Sequence, residues 1–220
     1  MPRGFQVQTA SITIFAHLLF IAITTLVLVW LLHFREGVAF FSSSNPIKVF
    51  HLHPLLMVIG FILVGGEAIM TFKSLPGKRR SVKVVHLVLH LIALVAGILG
   101  IIAVFKYKKE SGLADMYTLH SWLGISTTCL FGLQYILGFF AYFFPGAEMS
   151  TRASLLPWHR FVGMAIFLFA VATAETGLVE YFEFLHLFRN QEALIVNSTG
   201  LLLFLFAVLV ILSIILPRNY

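Results

Sequence analysis

Charge is what this sequence has least of. Of its 220 residues only 11% are Asp, Glu, Lys or Arg, and 60% are hydrophobic. A soluble domain carries about 25% charged residues, so too little polar sequence is present to coat a water-soluble globule. Cysteine is almost missing as well. The lone Cys129 lies inside an apolar stretch, which excludes a disulfide framework or a cysteine-held metal cluster within one chain. The net charge is +6, but the basic residues are confined to short segments between apolar runs. No basic face is large enough to track phosphates, so nucleic acid is not an expected partner. The basic residues instead suit membrane topology and lipid headgroups.

Long hydrophobic runs are what the chain does have. Six of them cover about 10–34, 49–72, 84–105, 119–143, 157–181 and 195–216. Each reaches the roughly 20 residues that cross the hydrocarbon of a bilayer. The breaks carry turn residues or charge, as in Ser42-Ser43-Ser44-Asn45-Pro46, Pro76-Gly77-Lys78-Arg79-Arg80 and Pro145-Gly146. The first run exceeds the roughly 7–15 apolar residues of a signal peptide and reads as a retained span. None of the runs alternates as a membrane barrel strand does. The expectation is a single all-α membrane domain over residues 1–220, with six transmembrane helices in a lipid bilayer.

Six spans put both termini on one side. That side holds Arg3, Lys73, Lys78, Arg79, Arg80, Lys83, Arg152, Arg160 and Arg218, nine cations. The other holds Arg35, Lys48, Lys106, Lys108, Lys109 and Arg189, which is six. The positive-inside rule then predicts cytoplasmic termini.

Nine histidines are present. His17, His33 and His186 sit where a histidine commonly bonds a neighbour or rests at the membrane interface. The other six are placed differently. His51 and His53 open helix 2, His86 and His90 open helix 3, His120 opens helix 4 and His159 opens helix 5. In an antiparallel bundle helices 2 and 4 start at one membrane face and helices 3 and 5 at the other. One level therefore holds His120 with His51 or His53, and the other holds His159 with His86 or His90. Ionisable groups are costly inside a membrane and mark function there. Paired imidazoles from facing helices suit the two axial positions of a b-type haem. This predicts helices 2–5 as a four-helix core around two haem b groups, with the irons about 20 Å apart. A carboxylate–histidine metal site is the competing chemistry. However, Glu67 and Glu175 each lie about 20 Å or more along their own helix from its histidine.

At these residues the sequence resembles the cytochrome b561 family of transmembrane ascorbate-linked electron-transfer proteins. The matching stretches are Phe50-His51-Leu52-His53-Pro54-Leu55, Lys83-Val84-Val85-His86, Tyr117-Thr118-Leu119-His120-Ser121-Trp122-Leu123-Gly124, Phe144-Pro145-Gly146-Ala147, Pro157-Trp158-His159-Arg160-Phe161-Val162-Gly163 and Asn197-Ser198-Thr199-Gly200-Leu201. The resemblance runs over about residues 15–215. It implies His53 and His86 as the ligands of helices 2 and 3, hence the pairs His53 with His120 and His86 with His159. It also implies cytoplasmic ascorbate as donor, bound by Arg79, Lys83 and Arg152. The implied acceptor outside the cytoplasm is the monodehydroascorbate radical or a ferric chelate, and the implied assembly is a homodimer. Many members have a histidine twelve residues before the helix-4 ligand, where this chain has Lys108. Lys108 and Tyr117 are the expected acceptor-site residues.

The alternative activity is a transporter that carries protons on its histidines. It calls for broken helices and ionisable groups at the midplane, whereas these histidines lie near the two faces. A subunit that only anchors a partner is a third class, and it leaves the sided cations without a task.

Overall fold

The computed structural model describes residues 9–42 and 44–216. Arg3, Ser43 and Arg218, used above, lie outside the described residues. Six helices are long and apolar enough to cross a membrane: α1 (Ala10–Phe34), α2 (Ile47–Ser74), α3 (Arg79–Glu110), α4 (Leu119–Tyr142), α5 (Met149–Phe184) and α6 (Gln191–Ile215). No strand occurs among the described residues.

Each apolar run became one helix, but most helices outgrow their runs. Hydrophobicity marks only the part of a helix that crosses hydrocarbon, and α3 continues through Lys106, Lys108 and Lys109 because backbone hydrogen bonding does not stop at the lipid boundary. The largest difference is in α5. It begins at Met149 and carries Pro157 within it. His86 and His159 therefore do not open their helices but lie about two turns or more inside them. His120 does sit at the start, behind the N-cap Thr118, whose side chain accepts from Ser121 N.

Pro54 disturbs α2. A proline inside a helix cannot donate to the carbonyl four residues back and crowds it. Just beyond it the hydrogen bonds widen to a π-helical stretch over Leu56–Leu63.

Packing is a ring. α2 lies on α3, α3 on α4, α4 on α5, and α5 returns to α2. α1 and α6 pack on each other and on α2, and α6 also packs on α5. The well-packed core lies on this second side, with Trp30, Leu31, Leu63, Met70, Leu203 and Phe206 fully buried. α4 is the least buried span, at 11% of its apolar window, against 50% for α2. The ring of α2–α5 thus keeps space within it while α1 and α6 brace one flank.

Candidate functional site: two paired-histidine levels

Three histidines donate from Nδ1 to a carbonyl on a neighbouring helix. His53 reaches Gly100 O at 3.0 Å, His86 reaches Ala68 O at 2.7 Å and His120 reaches Thr173 O at 2.9 Å. An early residue of one helix meets a late residue of the next each time, so the neighbours run antiparallel. The bonds also fix chemistry. In a neutral imidazole, an Nδ1–H committed to a carbonyl leaves the lone pair on Nε2, which is the form that ligates a metal.

The rings come in two pairs. His53 and His120 have centroids 5.9 Å apart, and His86 and His159 have centroids 6.5 Å apart. With metal–nitrogen bonds of about 2 Å on opposite sides and about 1 Å from nitrogen to ring centre, two imidazoles sharing one metal sit about 6 Å apart. Both pairs match that spacing. Along α3, His86 to Gly100 spans about 20 Å of helix, which separates the two levels.

Glycines make room for the rings. A Cβ on Gly177 of α5 would stand 2.6 Å from the His120 ring, and one on Gly138 of α4 would stand 3.2 Å from the His159 ring. Close helix packing claims other glycines, such as Gly60 against Ala96. His159 is steadied by Gln134, whose Nε2 donates to His159 O at 2.8 Å and lies 2.9 Å from His159 Nδ1. For Nε2 of His159 to be free, this amide would have to turn its oxygen toward Nδ1–H and give up its bond to His159 O.

A cavity of about 600 Å³ adjoins His53 and His120. Its walls are largely apolar, including Phe50, Met57, Phe61 and Ile125, and its outer part includes Lys108 and Tyr117. The Lys108 ammonium lies 5.1 Å from the Tyr117 ring centre. A flat apolar macrocycle would fit the chemistry of such walls, and Lys108 would offer a cation to any carboxylates it carries.

The other level has its own cations. Lys83 Nζ donates to Tyr142 O at 3.0 Å, and the charges of Arg152 and Arg79 both act on Lys83. The Tyr142 ring is 5.2 Å from that of His159. Tyr142 OH and Arg152 Nε are buried without a hydrogen-bond partner among the described residues. The three basic residues expected near His86 and His159 are thus gathered there, and Tyr142 and Gln134 join them. Sequence reading passed over both, although Gln134 carried a signal as a polar amide inside an apolar span.

The two spare histidines are accounted for by contacts. His51 is 1% exposed, with Nδ1 2.9 Å from Gly37 O and Nε2 2.9 Å from Tyr181 OH. Neither of its nitrogens is free. His90 packs edge-on against His86 at 4.4 Å and against Phe131 at 5.4 Å. His17 Nδ1 lies 2.9 Å from Glu67 Oε1, a bond to a neighbouring helix.

Six membrane-length helices that bring histidines together at two levels define a multi-pass membrane protein. The profile of eukaryotic cytochrome b561 matches residues 52–185. A probable ascorbate-specific transmembrane electron transporter 1 of Oryza sativa subsp. japonica is 47% identical, over 98% of this chain and 94% of its own. A transmembrane ascorbate ferrireductase 1 of Arabidopsis thaliana is 40% identical, over 94% of this chain and 88% of its own. A transmembrane ascorbate-dependent reductase of Mus musculus is 38% identical, over 90% and 79%. The chain belongs to the eukaryotic cytochrome b561 family.

Proposed function

We propose that this protein is a transmembrane oxidoreductase that takes single electrons from ascorbate in the cytoplasm and delivers them to an acceptor on the other side, the monodehydroascorbate radical or a ferric chelate. The observation that carries the reading is the pair of ring separations, 5.9 Å and 6.5 Å, each formed by histidines from two different helices. The relatives' names supply the donor: electron transporters and reductases that are called ascorbate-specific or ascorbate-dependent.

In this reading His53 and His120 hold one haem b, and His86 and His159 hold a second. The haems, when bound, supply reversible one-electron chemistry within the hydrocarbon. The protein's own residues do the rest. Backbone carbonyls of Gly100, Ala68 and Thr173 hold three imidazoles in the ligating tautomer. Lys83, Arg152 and Arg79 bind the ascorbate monoanion beside the His86/His159 pair. Lys108 and Tyr117 meet the acceptor beside the His53/His120 pair, and the lysine draws in anionic acceptors. The excess of Lys and Arg at the His86/His159 face supports a cytoplasmic position for that face and for both termini. A homodimer of this single domain, residues 1–220, is the proposed assembly. The transporter alternative lacks support from His53, His86 and His120, each of which commits Nδ1 to a backbone carbonyl rather than to a proton relay.

Replacing His86 or His159 by Ala is expected to remove one of two spectrally distinct haems. Ascorbate should then no longer reduce the haem that remains. An absorption spectrum with ascorbate titration of the purified variants measures both, and full reduction by ascorbate in either variant sinks the assignment. The same titration of the unmodified protein in vesicles enclosing ferric chelate tests the acceptor.

A further inference from the structure

Glu175 lies inside α5 and takes no part in the chemistry above. One of its carboxyl oxygens, Oε1, is buried with no hydrogen-bond partner among the described residues. Glu67 on α2 makes the contrast, because its carboxyl has His17 at 2.9 Å. Glu175 faces a second cavity of about 250 Å³ between α5 and α6, which it lines with Glu183, Asn197 and Gly200, and which shares Glu183, Leu178 and Val179 with the cavity beside His53 and His120. Room for the carboxyl comes from Gly200, where a Cβ would stand 2.8 Å from Glu175 Oε2. Glu183 is about two turns closer to the end of α5 and is exposed, as is Asn197. A polar track therefore leads from that end of the helix to Glu175.

The surroundings decide what such a carboxyl can bind. Among the described residues that line this cavity none is Lys, Arg or His. From α6 the cavity receives Asn197, Gly200, Leu201 and Val196, none of which titrates. The acid of α6, Glu192, is engaged elsewhere by Arg35 and Trp30. On α5 itself Glu180 and Glu183 are exposed. The stretch of α2 that meets α5, Leu56–Leu63, has no titratable side chain. α4 presents His120 to the opposite face of α5, where Thr173 O and Thr176 Oγ1 approach its Nδ1 at 2.9 and 3.5 Å. An unpaired carboxylate costs far more to hold away from water than the neutral acid does. With no cation at hand, the ligand that neutralises Glu175 is a proton.

We propose that Glu175 is a proton-binding site in the membrane interior, exchanging with water at the His53/His120 face through the cavity it shares with Glu183 and Asn197, and coupled to the charge held by that histidine pair. The coupling follows from like charges. An electron added beside His120 raises the affinity of Glu175 for its proton, and loss of that proton disfavours the electron. The coupling rests on the functional reading above, whereas the proton site does not.

Two measurements on the full chain in detergent or vesicles separate these parts. Dicyclohexylcarbodiimide attacks carboxylic acids in apolar surroundings only in their protonated form. Mass mapping should find Glu175 modified at low pH, with the modification fading as pH rises, and absent in Glu175→Gln. An unmodified Glu175 at every pH in the unaltered protein overturns the site, whether or not the variant folds. In optical redox titrations, the haem component lost in His120→Leu should fall in potential as pH rises. That slope should flatten in Glu175→Gln with its absorption band intact. An unchanged slope overturns the coupling. Absence of any haem band defeats the functional reading instead, and leaves the carbodiimide result to decide the site.

Discussion

At the scale of single residues, hydrogen bonding separates histidines that the sequence presents as near equals. His51 and His53 are two positions apart in one motif. His51 spends both ring nitrogens on Gly37 O and Tyr181 OH, and His53 spends one on Gly100 O. The two should therefore fail differently when replaced by Leu. His53→Leu is expected to lose one haem and retain the other. His51→Leu should keep both haems and lose about 2 kcal/mol of stability, since the buried partners are left unpaired. Haem-to-protein ratio and a denaturation curve on both variants check this, and loss of a haem in His51→Leu would contradict it. Family resemblance implies His53 as the ligand, and the support for that proposal comes from bonds to residues remote in the sequence.

Helices show a second kind of dependence, on how their ends are tied. α1 and α6 meet at a buried cluster. Arg35 donates to both carboxyl oxygens of Glu192, and Trp30 Nε1 donates to Oε1 at 2.9 Å. Glu192 is 6% exposed, and its bonds hold the Arg35 guanidinium above its ordinary value. Removing one member strands a buried charge. Arg35→Leu is expected to destabilise the fold by about 3–5 kcal/mol, while Glu192→Gln, which keeps one acceptor and strands the less buried member, Arg35, should cost less. Thermal unfolding of the two variants gives the order, and equal stability of Arg35→Leu and the parent would refute the clamp. None of this could be read from hydropathy. Arg35 and Glu192 both fall between the apolar runs, and 157 residues separate them. The position of Pro157 was misleading in the same way. It reads as a helix start, yet α5 already runs from Met149.

Across the whole molecule, the two levels differ in the cations around them. Lys83, Arg152 and Arg79 gather near His86 and His159, and Lys108 pairs with Tyr117 at the mouth of the cavity by His53 and His120. A half-buried lysine at a cavity mouth acts on a charged acceptor through a field that salt screens over about 8 Å at physiological ionic strength. Lys108→Glu is therefore expected to slow reduction of an anionic ferric chelate by about tenfold at low salt, with the difference shrinking as salt is added. Reduction by ascorbate at the other face should not change. Stopped-flow traces at two ionic strengths measure both steps, and a salt-independent defect would point to structural damage rather than attraction.

What the sequence determined by itself is what local composition can encode. A run of apolar residues long enough to cross lipid must satisfy its own backbone bonds, so six runs mean six helices. Histidines near the ends of those runs, taken with an alternating direction, assign two levels. The tertiary structure decided which partner each imidazole uses, and hence which nitrogen is left free. It also placed Gly177 and Gly138 against the rings, Gln134 against His159, and Glu175 on the cavity between α5 and α6. These depend on the rotation of each helix about its axis. That rotation is set by packing between segments far apart in the chain, which no local pattern records.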